Sequence, residues 1–138
     1  MAKISGPLLD RIDIHIEVSA VKVAELGQKK PGETSEAIRY RVVSARDRQA
    51  KRFTKRSGLF ANADMQSKET REFCRIDSDG EGLLKMAMTK LGLSARAYNR
   101  ILKIARTIAD LGASDEIRPE HPGEAIQYRS LDRNLWMN

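Results

Sequence analysis

The residues best suited to chemistry in this sequence are basic side chains that recur at helical spacing. Arg96, Arg100, Lys103 and Arg106 follow one another at intervals of four, three and three residues, and the next acidic residue is Asp110. Side chains at such intervals share one face of a helix, where like charges repel one another. The row therefore predicts that some of these cations are paired elsewhere, with carboxylates or with a phosphate.

Arg96 differs from the rest of this row in its position. Ser94 is a predicted helix N-cap, which places Arg96 in the first helical turn, where free N–H groups and the helix dipole favour an anion. An arginine at that place could reach a nucleotide phosphate. On the residues alone, a structural salt bridge is the commoner role for such a charge.

A second basic segment has a composition that fits a nucleic-acid backbone. The stretch from Arg39 to Arg56 holds eight Lys or Arg residues and one acidic residue, Asp47. Such a helix could line phosphates and bind them in a salt-dependent way. The alternative is a solvated helix face beside an acidic neighbour. The predicted nucleic-acid ligands are Arg39, Arg46, Arg48, Lys51 and Arg52.

Arg11, in the sequence "GPLLDRID", is the third candidate for a chemical role. Asp10 and Asp13 flank it, so a local ion pair is the simpler interpretation from the residues alone. His15 and His121 have no Cys or His partners at zinc-ligand spacing. The sequence also contains no Gly-x-x-x-x-Gly-Lys-[Ser/Thr] motif, the phosphate cradle of P-loop ATPases.

The composition of the chain restricts the classes of protein and of partner. The chain has 138 residues and a net charge of +6, which favours anionic partners. Cys74 is its only cysteine, so an internal disulfide is impossible and a reducing cytoplasm is predicted. No signal peptide and no apolar run of about 20 residues is present, so no membrane association is predicted.

The elements that would position these residues are mostly helices. Ile12, Ile14, Ile16 and Val18 alternate with polar residues, which predicts a strand with one buried face, yet almost no second strand is available to pair with it. The predicted helices run from a cap at Thr34 or Ser35 to about Phe53, from Lys68 to Cys74, from a cap at Asp79 to Leu91, from a cap at Ser94 to Gly112 at the C′ position, and from "IRPEH" to about Arg129. The predicted fold is therefore mainly α, a small helical bundle preceded by one orphan β-strand.

Four segments of the sequence resemble a known family. "KISGPLLDRIDIHIEV", "SEAIRYRVVSARDRQAKRF", "LGLSARAYNRILKIARTIADL" and "HPGEAIQYRSLDR" are similar to the C-terminal region of the magnesium-chelatase-like AAA+ ATPases, ComM/YifB subgroup. The resemblance implies that residues 1–25 hold the last strand of the AAA+ core and the segment after it, 26–35 a loop, and 36–138 the helical lid domain. Pro122 departs from the family, which more often has an aliphatic residue there.

The same resemblance implies functional roles. Arg11 matches an arginine finger, and Arg96 matches the sensor 2 arginine that contacts nucleotide phosphate. ATP and Mg²⁺ would bind the full-length protein, a homo-oligomeric and hexameric ring associated with DNA branch migration and transformation. The Walker motifs and sensor 1 would lie upstream, so this segment alone should bind no nucleotide and be inactive.

Two other functions remain open at this stage. The chain could be a stand-alone helical nucleic-acid-binding domain that uses the Arg39–Arg56 helix. It could also be the lid of a magnesium chelatase subunit acting in porphyrin metallation. The orphan strand adds a structural alternative, because its free edges could pair with a second copy of the chain or remain disordered.

Overall fold

The computed structural model describes residues 11–16, 18 and 32–134, with side chains to Arg129. Five α-helices follow one another in this part of the chain, and a 3₁₀ turn at Asn62–Asp64 lies between the first two. The mainly helical class predicted from the sequence is confirmed. The helices are α1 (Ser35–Phe53), α2 (Ser67–Phe73), α3 (Ser78–Leu91), α4 (Ala95–Leu111) and α5 (Glu120–Asn134).

Helix α4 is the centre of the bundle. Its apolar residues repeat at intervals of three and four, and α1, α2, α5 and the 3₁₀ turn all pack against it. Ile101, Ala105 and Ala109 are fully buried on this face. The core also contains Met65 and Leu84, contributed by the loop before α2 and by α3. Because one helix contacts nearly every other element, a side chain on α4 can link distant parts of the sequence.

Two of the N-caps predicted from the sequence are confirmed, and a third is wrong. The side-chain oxygens of Thr34 and Ser94 accept hydrogen bonds from the N–H groups three residues later, as expected for N-caps. Helix α3 is instead capped by Asp77, whose Oδ1 accepts from the Gly80 N–H at 2.7 Å, so the prediction of Asp79 is wrong. A Cβ on Gly80 would lie 3.1 Å from that same oxygen, so glycine allows the cap to approach closely.

The end of α4 also differs from the prediction. Gly112 is the C-cap with φ −81°, and the left-handed residue is Ala113, with φ +54°. The Ala113 N–H donates to Asp110 O and the Ser114 N–H to Ala109 O, the Schellman pattern shifted by one residue from the expected C′ position. A left-handed alanine costs about 1 kcal/mol or more. The Arg48 guanidinium donates to Ala113 O at 3.0 Å and so holds this turn.

The predicted strand is absent from the residues described at the front of the chain. Residues 12–16 and 18 form no β-ladder, and Ile14, Ile16 and Val18 are 47%, 70% and 85% exposed. The segment instead contacts the bundle through the Asp13 carboxylate, which lies 3.0 Å from Arg100, and through the backbone N–H of His15, which donates to the Tyr128 carbonyl. The prediction that the apolar side is buried is therefore wrong for these residues.

The remaining elements follow the predicted plan with small shifts. Helix α1 ends at Phe53 and α3 at Leu91, as predicted, and Gly92 after α3 has a left-handed φ of +54°. Helix α5 extends beyond the predicted end at Arg129, and Pro122 is buried within its first turn. None of the helices between residues 32 and 134 has both the length and the apolar character of a bilayer-spanning segment.

Candidate functional site

Three of the four cations in the α4 row are held by contacts within the fold. Arg100 pairs with Asp13 at 3.0 Å. The Lys103 ammonium donates to the Ala63 carbonyl at 3.1 Å. The guanidinium of Arg106 donates to the carbonyls of Ser114 and Asp115 at 2.7 and 2.9 Å, and closes the turn after α4. The mutual repulsion predicted along this row is thus relieved by partners from three different segments.

Arg96 is the member of the row that differs. It is exposed in the first turn of α4, directly after the Ser94 cap, and has no hydrogen bond or ion pair within residues 11–16, 18 and 32–129. The first turn of a helix presents N–H groups and the positive end of the dipole. A free guanidinium at this place is suited to an oxyanion, so the salt-bridge alternative finds no partner in the described part of the chain.

The cations of α1 divide into engaged and free residues. Arg52 forms two hydrogen bonds with the Asp110 carboxylate, at 2.8 and 2.5 Å. Arg48 pairs with Asp115 at 2.7 Å. These two arginines connect α1 to the end of α4, so their guanidinium groups are not free for phosphates in this arrangement. Arg39 and Lys51 are exposed and make no ion pair with any residue the structure describes.

Asp110 and Asn62 lie at the centre of a buried polar network between α1 and α4. Asp110 is 1% exposed, accepts hydrogen bonds from Arg52 and from the Asn62 amide at 2.9 Å, and forms an ion pair with Arg106. Burial lowers the pKa of Arg106, and the Asp110 charge opposes that shift. The Asn62 N–H donates to Gln49 at 3.1 Å. This network was not predicted from the sequence, although an acidic residue four positions after Arg106 was a signal for it.

Arg11 is exposed in a turn at the start of the described front segment. The local ion pair with Asp13 does not form, because Asp13 is paired with Arg100 at 3.0 Å and lies 3.6 Å from Arg129. Asp10, the other flanking acid, lies outside the described residues. The Arg11 guanidinium has no partner among the residues that are described, which leaves it accessible to another molecule.

Cys74 has no feature of a catalytic thiol. It is 3% exposed, and burial raises the pKa of its thiol from 9.0 to about 11. Within the described ranges, no group of three or more His, Cys, Asp or Glu side chains is placed to hold a metal ion either. The exposed side chains Arg11, Arg39, Lys51 and Arg96 are instead suited to the recognition of anions.

We expect native Cys74 to resist an aromatic disulfide reagent at about pH 8 and to react within minutes in denaturant. The raised pKa leaves little of the Cys74 thiol as thiolate at this pH, and burial keeps the reagent from reaching its Sγ atom. The raised pKa also means that this group's contribution to stability is present below pH 9.0 and is lost as the pH rises towards about 11. Labelling of the Cys74 thiol in every folded chain at about pH 8 would contradict the observed burial.

Comparison with known proteins decides the family. The chain matches the family described as "Magnesium chelatase, subunit ChlI C-terminal" over residues 32–129, which include all the helices that carry the free and paired arginines. The chain belongs to this family. The chelatase C-terminal match begins just before α1 and ends within α5, so the helical bundle is the unit that the family shares.

Individual relatives of this chelatase C-terminal domain are considerably longer than the chain. YifB of Escherichia coli is 42% identical over 134 residues, which are 96% of this chain and 26% of YifB. Competence protein ComM of Haemophilus influenzae is 41% identical over 134 residues, 96% of this chain and 25% of ComM. The resemblance to the ComM/YifB subgroup is thus confirmed, and the chain spans about a quarter of the length of these curated relatives.

Proposed function

We propose that this chain is the lid of a ring-forming AAA+ ATPase of the ComM/YifB type, in which Arg96 acts as sensor 2 and contacts a nucleotide phosphate. The observation that carries the proposal is the contrast within one row of cations. Arg100, Lys103 and Arg106 are engaged by the fold, whereas Arg96 is free at a helix N-terminus. Both the arginine and the helix end favour the same ligand, an oxyanion.

The phosphate in this proposal belongs to ATP held with Mg²⁺ by residues outside this chain. ATP supplies the phosphoryl group that is transferred to water. Arg96 would bind and orient a phosphate oxygen. Because α4 packs against most of the other elements, a movement of Arg96 with that oxygen would also move the helices around α4. Arg11 would reach the γ-phosphate of a neighbouring subunit as the arginine finger. The proposed assembly is a homo-oligomeric ring, hexameric as in the sequence-based prediction.

An exposed groove supports attachment of the lid to the rest of an AAA+ module. Ile14 and Ile16 of the front segment line it together with Ile104, Ile108 and Leu111 of α4, and its volume is about 510 Å³. Contiguous apolar surface of this kind usually marks an interface. A core domain covering the groove would also bury the apolar side of residues 12–18.

DNA remodelling is the proposed output of the ring. The relative in Haemophilus influenzae is named competence protein ComM, and the resemblance to the ComM/YifB subgroup implies an association with DNA branch migration and transformation. The net charge of +6 supports an anionic partner as well. The family's description as a magnesium chelatase subunit favours a second candidate, the lid of a ring that acts in porphyrin metallation. Stimulation of ATP turnover by DNA separates the two.

Arg96→Ala in the full-length protein should lower ATP turnover about a hundredfold, because one preorganised donor to the phosphates is lost. Arg71→Ala is the matched control, since Arg71 is exposed on α2 and makes no described contact. Steady-state phosphate release measures turnover, and thermal melting should change little in either variant. Turnover of Arg96→Ala that equals the control would remove Arg96 from the nucleotide site.

A further inference from the structure

Phe60 is an exposed aromatic residue on an ordered loop. It is 74% exposed, whereas Phe53 is 4% exposed and packs edge-to-face on Phe73 at a ring distance of 5.6 Å. The loop begins after α1, and Gly58 turns it with a φ of +78°. Single exposed apolar residues are common on protein surfaces, so the exposure of Phe60 is informative only together with the residues around it.

The backbone at Phe60 is held by the side chain of Asp64. The N–H groups of Phe60 and Ala61 donate to the same carboxylate oxygen, Asp64 Oδ2, at 3.0 and 2.9 Å. These two hydrogen bonds are the main reason that the pKa of Asp64 lies below its ordinary value. The 3₁₀ turn that follows is anchored to α1 through the Asn62 N–H and Gln49. The exposed Phe60 ring thus belongs to a turn whose backbone is held by hydrogen bonds.

Two cations flank this turn. The Arg46 guanidinium lies 3.4 Å from Gln49 Oε1, the oxygen that also accepts from the Asn62 N–H. The Lys103 ammonium donates to the Ala63 carbonyl on the other side. Both charges act on the Asp64 carboxylate. Both cations therefore contact residues that hold the 60–64 turn, although they come from α1 and α4.

A further cation of α1 lies on the same face of the helix as Arg46. Arg39 precedes Arg46 by seven residues, or about two turns, and therefore lies on the same face. Lys51 is five residues after Arg46, which places it on the opposite side of the helix. We define the Phe60 surface as Phe60, Arg39, Arg46 and Lys103.

We propose that the Phe60 surface binds single-stranded nucleic acid, with a base stacked on the Phe60 ring and phosphates held by Arg46, Lys103 and Arg39. Stacking on an aromatic ring requires an unpaired base, whereas cations alone would accept any polyanion. The inference deepens the DNA part of the proposed function. Phe53, the aromatic residue at the end of α1, is buried and so is not available for stacking.

The test uses the folded 138-residue chain without ATP and a labelled oligothymidylate of about 16 nucleotides. Phe60→Ala should weaken binding at least about fivefold, the loss of one stacked base, without changing the salt dependence. Phe60→Trp should retain the affinity. Tyr40→Ala is the matched control, because Tyr40 is 77% exposed. Equal affinity of Phe60→Ala and the unmodified chain would overturn the proposal.

The phosphate half of the proposal is tested by the salt dependence. Arg46→Ala and Lys103→Ala should each reduce the slope of log K against log salt by about 0.7 between about 50 and 200 mM salt. Arg71→Ala is the matched cation control, because Arg71 is exposed on α2 and makes no contact with the residues that the structure describes, and it should leave the slope unchanged. Binding to polyphosphate or to a blunt duplex as tight as to the single strand would also overturn the proposal. Arg96→Ala should not alter this binding, so failure here is distinguishable from failure of the ATPase proposal.

Discussion

Replacing Arg11 with alanine is expected to lower ATP turnover of the full-length protein about a thousandfold while nucleotide affinity stays within a few-fold. An arginine finger acts mainly on the charge that develops as the γ-phosphoryl group is transferred, so its loss reduces the rate more than binding. The structure leaves this guanidinium exposed, with its neighbour Asp13 paired to Arg100 at 3.0 Å.

Two controls sharpen the Arg11 measurement. Arg11→Lys keeps the charge but loses the planar fork of donors, and we expect it to restore little of the turnover. Arg71→Ala accounts for the loss of one exposed positive charge. Turnover should be measured by phosphate release and affinity by titration of a fluorescent ATP analogue. If Arg11→Ala retained a third or more of the normal turnover, the arginine-finger role would be excluded.

Replacing Asp110 with alanine is expected to lower the free energy of unfolding by about 3–5 kcal/mol. The carboxylate is buried and bonded to Arg52 and Asn62, and it lies 3.3 Å from Arg106 Nε. Its removal leaves two largely buried guanidinium groups without their counter-charge. Small domains have a total stability of about 5–15 kcal/mol, so the variant should be close to unfolding at ordinary temperature.

Asp115→Ala is the matched control for Asp110. Asp115 also pairs with an arginine of α1, Arg48, but its side chain is 92% exposed. Exposed pairs contribute about 0–1 kcal/mol, so this variant should remain close to the unmodified chain. Asp110→Asn keeps hydrogen-bonding capacity and should fall between the two. Urea denaturation followed by circular dichroism measures all of them, and a loss below about 1 kcal/mol for Asp110→Ala would contradict the role of the network.

The Arg52–Asp110 network limits what the basic run of α1 can bind. The sequence predicted Arg39, Arg46, Arg48, Lys51 and Arg52 as nucleic-acid ligands on the density of charge alone. In the structure, Arg48 and Arg52 connect α1 to the end of α4. Nucleic-acid binding by the remaining residues stays a prediction. Burial is the reason for Arg52, since a guanidinium that enters a protein interior requires a counter-charge there.

The sequence by itself determined the helices and most of their ends. The apolar repeat of α4, the caps at Thr34 and Ser94 and the left-handed Gly92 are encoded within a few neighbouring residues, so local pattern was sufficient. The helical class and the position of Arg96 in a first turn follow from the same short-range information. The misplaced cap at Asp77 and the shifted turn at Ala113 are errors of two residues and one residue in otherwise correct elements.

The tertiary structure alone decided which charges are free. Arg52 and Asp110 are 58 residues apart in sequence, and Arg100 meets Asp13 from the other end of the chain. No periodic pattern encodes such pairs, because they depend on how α1, α4 and the front segment pack. The same packing left Ile14, Ile16 and Val18 exposed and placed Phe60 on the surface. Helix formation is governed by nearby residues, whereas the pairing and exposure of a charge are governed by contacts between elements distant in sequence.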